Sequence, residues 1–383
     1  MAGRRTIVFI STNTKKDGAE KSLVSLQRYL INEENLNTLT IIPRSGPIED
    51  LLKAAQIPYR ICRFEGNVNY NRGTKIIRGV AKAAINFNAA YSISRRLKKE
   101  KVNVIGVHSN TITSEMGVYL ADMLKVPHIW HIREFGKLDF GFDFELGFPY
   151  IRWLAKKAAK VVCNSKAVCD YYAKYLDNQN LTYIHNGVKL LPKGENDWFT
   201  EKFRMILIGR LSSEKGQESA IRACRFMYDR GYRNFVLDLY GDGADRERYA
   251  ALIKKLELDD YVVLRGYSSC IPTHTYHVGL MCSRHEAFGR VTVEYMLNGL
   301  PVVGIQDGGT SEIIEDKVTG YLLQSENPEL LAGKLEKLYL DRKLCMKMGQ
   351  HGKMRAEQLF TEKTYCENIY RLYEQCFELE GEA

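Results

Sequence analysis

The segment from Ser283 to Leu323 constrains the fold of this chain more than any other part of its sequence. Val291 to Leu297 carries apolar residues at helical spacing, and Asn298-Gly299 followed by Pro301 ends that helix. Val302 to Ile305 is a short apolar run, typical of a strand buried in a parallel sheet. A helix leading directly into such a strand is the repeating unit of α/β folds, so the segment predicts an open, mostly parallel sheet.

Two carboxylates bracket the first turn of this predicted helix. Glu286 lies in the preceding loop and Glu294 lies inside the helix, so they cannot form a close acid/base pair on one helix. They can instead contact two parts of one elongated ligand. The free N–H groups near Val291 and Thr292 favour an anion between them. A sugar–diphosphate–ribose molecule has that pattern of groups.

The same segment resembles the retaining glycosyltransferases of family 4, which have the two-domain GT-B architecture. Glu286-Ala-Phe-Gly-Arg-Val-Thr-Val-Glu294 is similar to the E-x7-E motif of that family. The similarity continues through Gly299-Leu-Pro-Val-Val and Gly308-Gly-Thr-Ser-Glu-Ile-Ile to Gly320-Tyr-Leu-Leu. The resemblance implies that Glu286 contacts donor-sugar hydroxyls and that Glu294 holds the ribose hydroxyls. It also assigns donor contacts to neighbouring residues of the loop and the first helical turn, which are Phe288, Gly289, Val291 and Thr292.

A chain of 383 residues with 45% hydrophobic residues is long enough for two globular domains. We predict an N-terminal domain over residues 1–190 and a C-terminal domain over residues 198–360, joined by a polar linker at Leu191–Asp197. The resemblance places the last helix, about 361–383, back on the first domain. No apolar run reaches about 18 residues, so no transmembrane helix is predicted, and MAGRRTIVFIST is interpreted as a first strand instead of a signal peptide.

Short apolar runs and helical stretches alternate through both halves of the chain, and this predicts parallel sheets with helices on both faces. The expected fold is therefore α/β of the GT-B type, with two doubly wound Rossmann-like domains facing across a cleft. The longest predicted helix spans roughly Lys75 to Glu100. Its apolar residues near one face are expected to pack into the core; they are Ile76, Ile77, Val80, Ala84 and Phe87.

Cysteine usage and acidic motifs argue against a metal site. The nine cysteines include no C-x-x-C pair and no clustering with His, as expected of a chain in a reducing cytosol. No D-x-D pair occurs anywhere in the sequence. We therefore expect no cofactor and no divalent metal.

The charge of the chain is unevenly distributed. Residues 1–200 contain 30 Lys/Arg and 18 Asp/Glu, whereas the remainder contains 25 and 28. The excess is densest from Arg60 to Lys101, and it has three interpretations: a solvated helix face, attraction to anionic lipid or a phosphorylated acceptor, or binding of nucleic acid. No recognisable nucleic-acid-binding motif accompanies the charge, so no nucleic-acid partner is predicted.

Three further loops resemble the donor-binding loops of the family. Gly209-Arg210-Leu-Ser-Ser-Glu-Lys215 follows a predicted strand, and Arg and Lys side chains suit phosphate oxygens. The resemblance implies that Arg210 and Lys215 bind the donor diphosphate. Asp17-Gly18-Ala19 stands where the family has Gly-Gly-Ala, so the diphosphate contact is assigned to Gly18. Arg265-Gly266-Tyr267 matches the segment whose backbone meets the nucleotide base.

Polar side chains also follow two predicted strands of the first domain. A single His after a strand is more often structural, but the convergence of several polar side chains favours a function for His131. The resemblance places that His near the donor sugar and the acceptor. The acceptor side is assigned to His108, Asn110, Arg133 and Glu134. The segment from Gly136 to Tyr150, rich in Phe and Gly, is expected to be a mobile loop over the cleft or a contact to acceptor or membrane.

These observations predict a retaining glycosyltransferase with His131, Glu286, Arg210 and Lys215 as catalytic residues. It would move a hexosyl or N-acetylhexosaminyl group from a nucleotide-diphosphate sugar, with UDP favoured from family frequency alone. The expected acceptor is a hydroxyl of a glycan or a lipid-linked oligosaccharide, in polysaccharide or cell-wall glycan biosynthesis. The expected location is the cytoplasm, with peripheral contact to the anionic inner face of the membrane. Two alternatives stay open: a GT-B-fold sugar-nucleotide 2-epimerase and a non-catalytic nucleotide-binding scaffold at the membrane.

Overall fold

The computed structural model describes residues 4–70, 75–176, 178–190, 196–377 and 379. Contacts divide the chain into two compact units, one formed by Met1–Gly187 with Glu362–Ala383 and the other by Val188–Thr361. Most of the predicted linker at Leu191–Asp197 lies outside the described residues. No helix in the described ranges combines the length and the apolar character that a membrane span requires.

The first unit is built on a seven-stranded parallel sheet. Its strands are β1 (Thr6–Ile10), β2 (Asn37–Ile42), β3 (Tyr59–Ile61), β5 (Val104–Ser109), β6 (His128–Ile132), β8 (Lys160–Cys163) and β9 (Leu181–Tyr183). They lie in the order β3-β2-β1-β5-β6-β8-β9. Two short strands, β4 (Val68–Asn69) and β7 (Asp143–Phe144), pair antiparallel beside it. The helices are α1 (Gly18–Asn32), α2 (Ile48–Ala54), α3 (Ile76–Lys99), α4 (Met116–Leu124), α5 (Gly147–Ala155), α6 (Lys166–Ala173) and α13 (Glu362–Cys376).

Strand β1 shows why this sheet is covered on both faces. Successive side chains of a strand point to opposite faces. Ile7 and Phe9 join a buried cluster with residues of α1 and α13, and Val8 belongs to a second cluster with residues of α3 and α4. Because every residue of the strand is buried, the sequence there is continuously apolar instead of alternating.

The second unit contains a six-stranded parallel sheet. Its strands are β10 (Phe203–Ile208), β11 (Phe235–Tyr240), β12 (Val262–Gly266), β13 (Val278–Met281), β14 (Val302–Ile305) and β15 (Gly320–Leu323). They lie in the order β12-β11-β10-β13-β14-β15. The helices are α7 (Gln217–Asp229), α8 (Arg246–Lys255), α9 (Arg290–Leu297), α10 (Thr310–Ile313), α11 (Pro328–Leu340) and α12 (Arg342–Leu359). Both units thus have the strand order of doubly wound folds, and the predicted α/β class is confirmed.

Helix α3 forms where predicted, but the prediction of its buried face is wrong. Ile77 is 89% exposed and Val80 is 57% exposed, and Ile76, Ala84 and Phe87 are also exposed. The helix buries the opposite side instead, which carries Gly79, Asn86, Ala90, Ile93 and Leu97. A Cβ at Gly79 would come within 2.7 Å of the Leu146 side chain, so only Gly allows this close approach. The buried Asn86 side chain exchanges hydrogen bonds with the backbone of Glu65.

The segment from Gly136 to Tyr150 is folded and is not a bare loop. It contains β7 and the start of α5, and its Phe142 and Phe144 are buried. Asp139 accepts hydrogen bonds from the backbone N–H groups of Phe135 and Gly136, which closes the turn. The expectation of a mobile loop overlooked these local contacts.

Candidate active site

The strand order of the second unit reverses between β10 and β13. In doubly wound sheets, ligands bind at such a reversal, beyond the carboxyl ends of the strands. Gly209 and Arg210 directly follow β10, and the loop holding Glu286 follows β13. Tyr267 directly follows β12 at the same edge. The predicted donor-binding residues of this unit therefore come from loops and a helix end at one edge of the sheet.

A cavity of about 400 Å3 opens at this edge of the sheet, and that volume is within the range of small-molecule sites. Its lining residues come from the ends of β10 and β11 and from the loops after β10, β11 and β12; they are Ile208, Gly209, Arg210, Tyr240, Gly241, Asp242, Tyr267, Ser268 and Ile271. A Cβ at Gly241 would lie 2.0 Å from the Gly209 carbonyl oxygen, so the loops after β10 and β11 can touch only because this residue is Gly. The ring of Tyr267 is 80% exposed beside the cavity.

Lys215 and Glu286 contact each other directly. The Lys215 Nζ lies 2.7 Å from Glu286 Oε2, and both side chains are partly open to solvent. A short 3-10 turn, Ser213–Lys215, carries the lysine, and Gly216 follows it with φ +69°. A Cβ at Gly216 would lie 2.3 Å from the Cys282 carbonyl oxygen, so Gly lets the turn approach the strand that leads to Glu286. A partly exposed ion pair contributes at most about 1 kcal/mol, so a ligand can readily exchange with it.

The amino end of α9 has the features of an anion site. Gly289 precedes the helix with φ +98° and, having no side chain, cannot cap the N–H groups of the first turn. The hydroxyls of Thr292 and Thr310 are buried and have no hydrogen-bond partner among the described atoms. A Cβ at Gly289 would lie 3.3 Å from the Thr292 hydroxyl and 3.5 Å from that of Thr310. Donors left free around a helix end favour a phosphate group.

The loop after β14 supports the Glu286 loop, and sequence reasoning missed its key residue, Asp307. The Asp307 carboxylate accepts a hydrogen bond from the His285 N–H at 2.9 Å, and the Gly309 N–H donates to the Glu286 carbonyl at 2.7 Å. A Cβ at Gly308 would come within 2.3 Å of that same carbonyl oxygen. An Asp-Gly-Gly run after a strand is a turn signal that could have identified this contact.

Two predicted donor residues use their side chains elsewhere. Phe288 is buried and its ring packs against Phe360, so its side chain is not available to a ligand. The Arg265 guanidinium is bound by the buried Asp238 carboxylate at 2.8 Å. It lines a second cavity of about 500 Å3, together with Thr200, Lys202, Arg204, Val236, Asp260 and Val263. A base contact at Arg265-Gly266 is therefore left to the backbone.

Val291 and Glu294 both lie on α9 and are partly buried. Glu294 is one turn further along the helix than Arg290, whereas Glu286 lies in the loop before it. The two predicted carboxylates thus belong to different local structures. The sequence predicts the same arrangement, with Glu286 in the loop and Glu294 inside the helix.

The predicted polar residues of the first unit form one buried network around Arg133. The Arg133 guanidinium donates to the Asn110 side-chain oxygen at 2.8 Å, to the Tyr365 hydroxyl at 2.7 Å, and to Asn186. It also lies 3.4 Å from Nδ1 of His131. The sequence pattern brought three of these residues together, but it missed Asn186 and the tyrosine of α13.

His108 and His131 are neutral in this network. Burial, together with the cationic Arg133, holds the pKa of each imidazole well below its usual range. The Tyr373 hydroxyl lies 2.6 Å from Nδ1 of His108. The Nε2 atoms of both histidines are buried with no hydrogen-bond partner among the described atoms.

Buried carboxyls on the same unit are shifted in the opposite direction. Burial raises the pKa of Glu134 to about 8, with a further contribution from Asp139, because burial disfavours the charged form. Glu134 accepts hydrogen bonds from the N–H groups of Ile112 and Arg133. Burial likewise raises the pKa of Glu20 to about 7.

The structure places the predicted acceptor-side residues in the interior of the first unit. His108, Asn110, Arg133 and Glu134 are buried, and so is the predicted catalytic His131. Arg133 and Glu134 keep only 6% and 5% exposure, so these side chains mainly hold the strand ends together, and their assignment to the acceptor side stays a prediction. Contact of His131 with a substrate stays a prediction.

Gly18 is the first residue of α1. The carboxylates of Asp17 and Glu20 flank it, and both accept hydrogen bonds from the Asn13 side-chain amide. Two acidic side chains at this helix end make it less favourable for an anion than the end of α9. The diphosphate contact at Gly18 stays a prediction.

Among the residues that the structure describes, no three His, Cys, Asp or Glu side chains come together as a metal site. The cavity and the neighbouring loops present the cations Arg210 and Lys215, and the end of α9 adds hydroxyls and N–H groups. These groups can hold the charge of a phosphate ligand directly.

Two family models match this chain. Residues 17–190 match the model of Glycosyltransferase Family 4, and residues 192–355 match that of Glycosyl transferases group 1. A curated relative, the GtfA subunit of the UDP-N-acetylglucosamine–peptide N-acetylglucosaminyltransferase of Streptococcus agalactiae, is 28% identical over 168 residues. That match covers 43% of this chain but only 33% of the relative.

Solved structures of similar proteins cover nearly the whole chain. HepE of Anabaena in complex with UDP superimposes with a TM-score of 0.80 at 21% identity, covering 97% of this chain and all of HepE. A TarM variant of S. aureus, in complex with fondaparinux, alpha-GlcNAc-glycerol and UDP, has a TM-score of 0.72 at 14% identity, covering 96% and 99%. These similarities establish the fold. Together with the family models, they show that the chain belongs to the group 1, family 4 glycosyltransferases and has the GT-B fold.

Proposed function

We propose that this protein is a retaining glycosyltransferase that uses a nucleoside-diphosphate sugar, with UDP as the favoured nucleotide. The observation that carries the proposal is the contact of Lys215 with Glu286 in the same sheet-edge site as the uncapped amino end of α9. A cation and free N–H groups suit a diphosphate, and a carboxylate suits sugar hydroxyls. The neighbouring cavity beside Tyr267 has room for a nucleoside.

The main barrier in such a transfer is the departure of the diphosphate as the anomeric carbon becomes positively charged. Arg210, Lys215 and the first N–H groups of α9 would stabilise the negative charge that develops on the leaving phosphate. The hydroxyls of Thr292 and Thr310 would add two further donors. Glu286 would exchange its Lys215 contact for sugar hydroxyls and so orient the sugar. This scheme requires no protein nucleophile and no metal.

The acceptor that we propose is a hydroxyl of a glycan or a lipid-linked oligosaccharide, in polysaccharide or cell-wall glycan synthesis at the inner face of the membrane. TarM with alpha-GlcNAc-glycerol and UDP supports an acceptor of this kind. If the donor is an α-linked sugar nucleotide, an α-linked product corresponds to retention of configuration at the anomeric carbon. The excess of Lys and Arg in residues 1–200 supports binding near a negatively charged surface, such as the inner face of the membrane.

A thermal-shift panel with UDP, GDP, dTDP, ADP and their sugar conjugates tests the donor site. A nucleotide at about 100 times its dissociation constant should stabilise the protein by roughly 2.7 kcal/mol. We expect one UDP ligand to raise the melting temperature of the wild type but not of the Lys215→Ala variant. Lys254→Ala, which removes an exposed cation from α8, is the matched control and should respond as the wild type does.

The ion pair requires one further variant. Lys215→Ala leaves Glu286 without its cation, so the double variant Lys215→Ala/Glu286→Gln separates lost phosphate binding from carboxylate repulsion. If the double variant regains the UDP response, Lys215 only neutralises Glu286 and the diphosphate assignment is wrong. No response of the wild type to any nucleotide would overturn the donor-site assignment and would count against the nucleotide-binding scaffold as well.

Product analysis distinguishes transfer from isomerisation. With the bound sugar nucleotide and a glycan acceptor, a transferase releases nucleoside diphosphate only when the acceptor is present, whereas a 2-epimerase converts the sugar without acceptor. We expect turnover to survive EDTA, because Arg210 and Lys215 take the place of a cation on the phosphates. Loss of turnover in EDTA, restored by magnesium or manganese, would overturn the metal-free mechanism.

A further inference from the structure

The outer face of α3 carries an exposed apolar stripe. Its members are spaced three or four residues apart, so they lie along one line of the helix; they are Ile77, Val80, Ala84, Phe87 and Tyr91, hereafter the α3 stripe. Ile77 is 89% exposed and Tyr91 is 53% exposed. The helix already buries its opposite side in the core through Ala90, Ile93 and Leu97. Most of the stripe therefore faces outward from the core of the unit, and a row of this length calls for another explanation.

The same helix is strongly cationic. Residues 75–99 contain seven Lys/Arg and no Asp or Glu. Arg78 and Lys82 are paired with the buried Glu145. The stripe continues at the same spacing into Arg95 and reaches Lys98 and Lys99, all of them exposed. The Arg95 guanidinium lies 5.8 Å from the centre of the Tyr91 ring, so apolar and cationic parts of the face are directly joined.

Aromatic side chains widen this surface away from α3. The Phe87 ring meets Tyr119 of α4 edge-on at 5.7 Å, and the Tyr119 hydroxyl is hydrogen-bonded to that of Tyr150. The Tyr150 ring in turn stacks on Trp153 at 5.9 Å. Trp153 is half-exposed, and Lys157 lies 4.7 Å above its ring. Tyr and Trp rings beside exposed cations are typical of the boundary between water and lipid.

We propose that the α3 stripe and this aromatic row form a docking surface for an anionic lipid bilayer, with α3 lying along the membrane plane. The apolar side chains would enter the boundary between headgroups and acyl chains. Arg95, Lys98 and Lys99 would contact lipid phosphates. This gives a location to the membrane contact included in the proposed function, and it does not depend on the donor site.

The charge pattern favours lipid over a second copy of the chain. Two copies meeting through this face would bring two sets of cations together, with no acidic residue on α3 to compensate them. An anionic bilayer is complementary to both the charge and the apolar row. Each Lys or Arg near such a surface strengthens binding by about 1 kcal/mol, which is roughly fivefold in affinity.

Flotation with lipid vesicles tests the proposal. We expect the protein to float with vesicles of equal parts phosphatidylglycerol and phosphatidylcholine, and to bind pure phosphatidylcholine at least about tenfold more weakly. Ile77→Gln/Val80→Gln and Arg95→Gln/Lys99→Gln should each weaken binding to the anionic vesicles by at least about tenfold. These residues are exposed and Gln is a good helix former, so the variants should keep the wild-type melting temperature.

Matched controls place equivalent changes in the second unit. Leu330→Gln removes an exposed apolar side chain from α11, and Lys254→Gln/Lys255→Gln removes two exposed cations from α8. Neither should alter flotation. Equal binding by wild type and Ile77→Gln/Val80→Gln would overturn the proposal. So would absence of vesicle binding together with a dimer, seen by analytical ultracentrifugation, that the same variant abolishes.

A UDP thermal shift on the flotation variants keeps this test separate from that of the donor site. If the variants lose vesicle binding and keep the wild-type UDP response, the lipid surface is supported whether or not the transfer activity is as proposed. If they lose both, the substitutions have disturbed the fold at large and the docking surface is not supported.

Discussion

At Gly289 the backbone adopts φ +98° and turns the chain into α9. The hydroxyls of Thr292 and Thr310 would lie 3.3 Å and 3.5 Å from a Cβ on this residue. Gly216 and Gly308 are equivalent cases in the same site, since each allows one loop backbone to touch another. Individual glycines thus shape the space in which a phosphate can meet free N–H groups.

Gly289→Ala should therefore weaken the protein and its ligand site together. An Ala at this positive φ costs about 1–2 kcal/mol, and its methyl group occupies the space before the two hydroxyls. We expect a lower melting temperature and a smaller shift with UDP. Gly333→Ala is the control, and its expected effect on stability has the opposite sign. Gly333 lies inside α11 and a Cβ there meets nothing within 4 Å, so Ala should stabilise the helix by about 1 kcal/mol. An unchanged UDP shift in Gly289→Ala would contradict the anion-site assignment.

Glu134 makes the stability of the first unit depend on pH. Its pKa is about 8 when folded, above the ordinary value of 4.5, so the folded state keeps a proton that the unfolded state loses. The stabilisation is complete below pH 4.5 and is lost as the pH rises through about 8, with a slope of up to about 1.4 kcal/mol per pH unit.

Replacing Glu134 by Gln removes this titration. We expect the free energy of unfolding of Glu134→Gln, measured in urea at several values between pH 5 and 8, to fall less steeply with pH than that of the wild type. The exposed Glu247→Gln is the control and should follow the wild-type profile. Parallel profiles for all three proteins would show that Glu134 ionises normally.

At the scale of helices and strands, local sequence signals determine where an element begins and ends, and packing determines which of its faces is buried. Ser165 caps helix α6, and its hydroxyl accepts a hydrogen bond from the Val168 N–H at 3.2 Å. Helix α3 has correctly predicted ends but an unexpected buried face. A helix end depends on a few adjacent residues, whereas the buried face depends on what the rest of the unit offers for packing.

Ser165→Ala should destabilise the first unit by about 1 kcal/mol, because it removes the cap of α6. Urea denaturation at neutral pH measures this loss. Ser92→Ala, at an exposed position inside α3, is the control and should be neutral or slightly stabilising. Equal stability of the two variants would mean that the cap contributes nothing in the folded protein.

At the scale of the whole molecule, the first unit is discontinuous in sequence. Helix α13 supplies Tyr365, Ile369 and Tyr373 to the core that also contains β1 and α1. A Cβ at Gly106 of β5 would come within 2.4 Å of the Phe377 ring, so the end of α13 lies directly on the sheet. Helix α13 and Phe377 thus belong to the first unit, although they follow the second unit in the sequence.

A chain ending at Thr361 should lose the first unit and keep the second. It would expose the apolar cluster around β1 and leave the buried Arg133 without the Tyr365 hydroxyl. Calorimetry of the truncated chain should show a single transition for residues 188–361. A first unit that still melts cooperatively without α13 would contradict this view of its core.

The sequence by itself determined the α/β class, most strand and helix positions, and the placement of donor loops at strand ends. These features follow from local patterns: apolar runs, Gly and Pro breaks, and loops that directly follow strands. The contact of Lys215 with Glu286 is consistent with the predicted placement of both residues in donor loops, although they are 71 positions apart in the chain.

Only the tertiary structure decided which side of α3 is buried, that Asp238 binds the Arg265 side chain, and that His131 has no exposed surface. Each outcome depends on residues far apart in the chain, such as Leu146 beneath Gly79 and Tyr365 against Arg133. Helical spacing identifies an apolar stripe but not its environment. Burial is set by the neighbours that folding brings, and those neighbours are not encoded in any single segment.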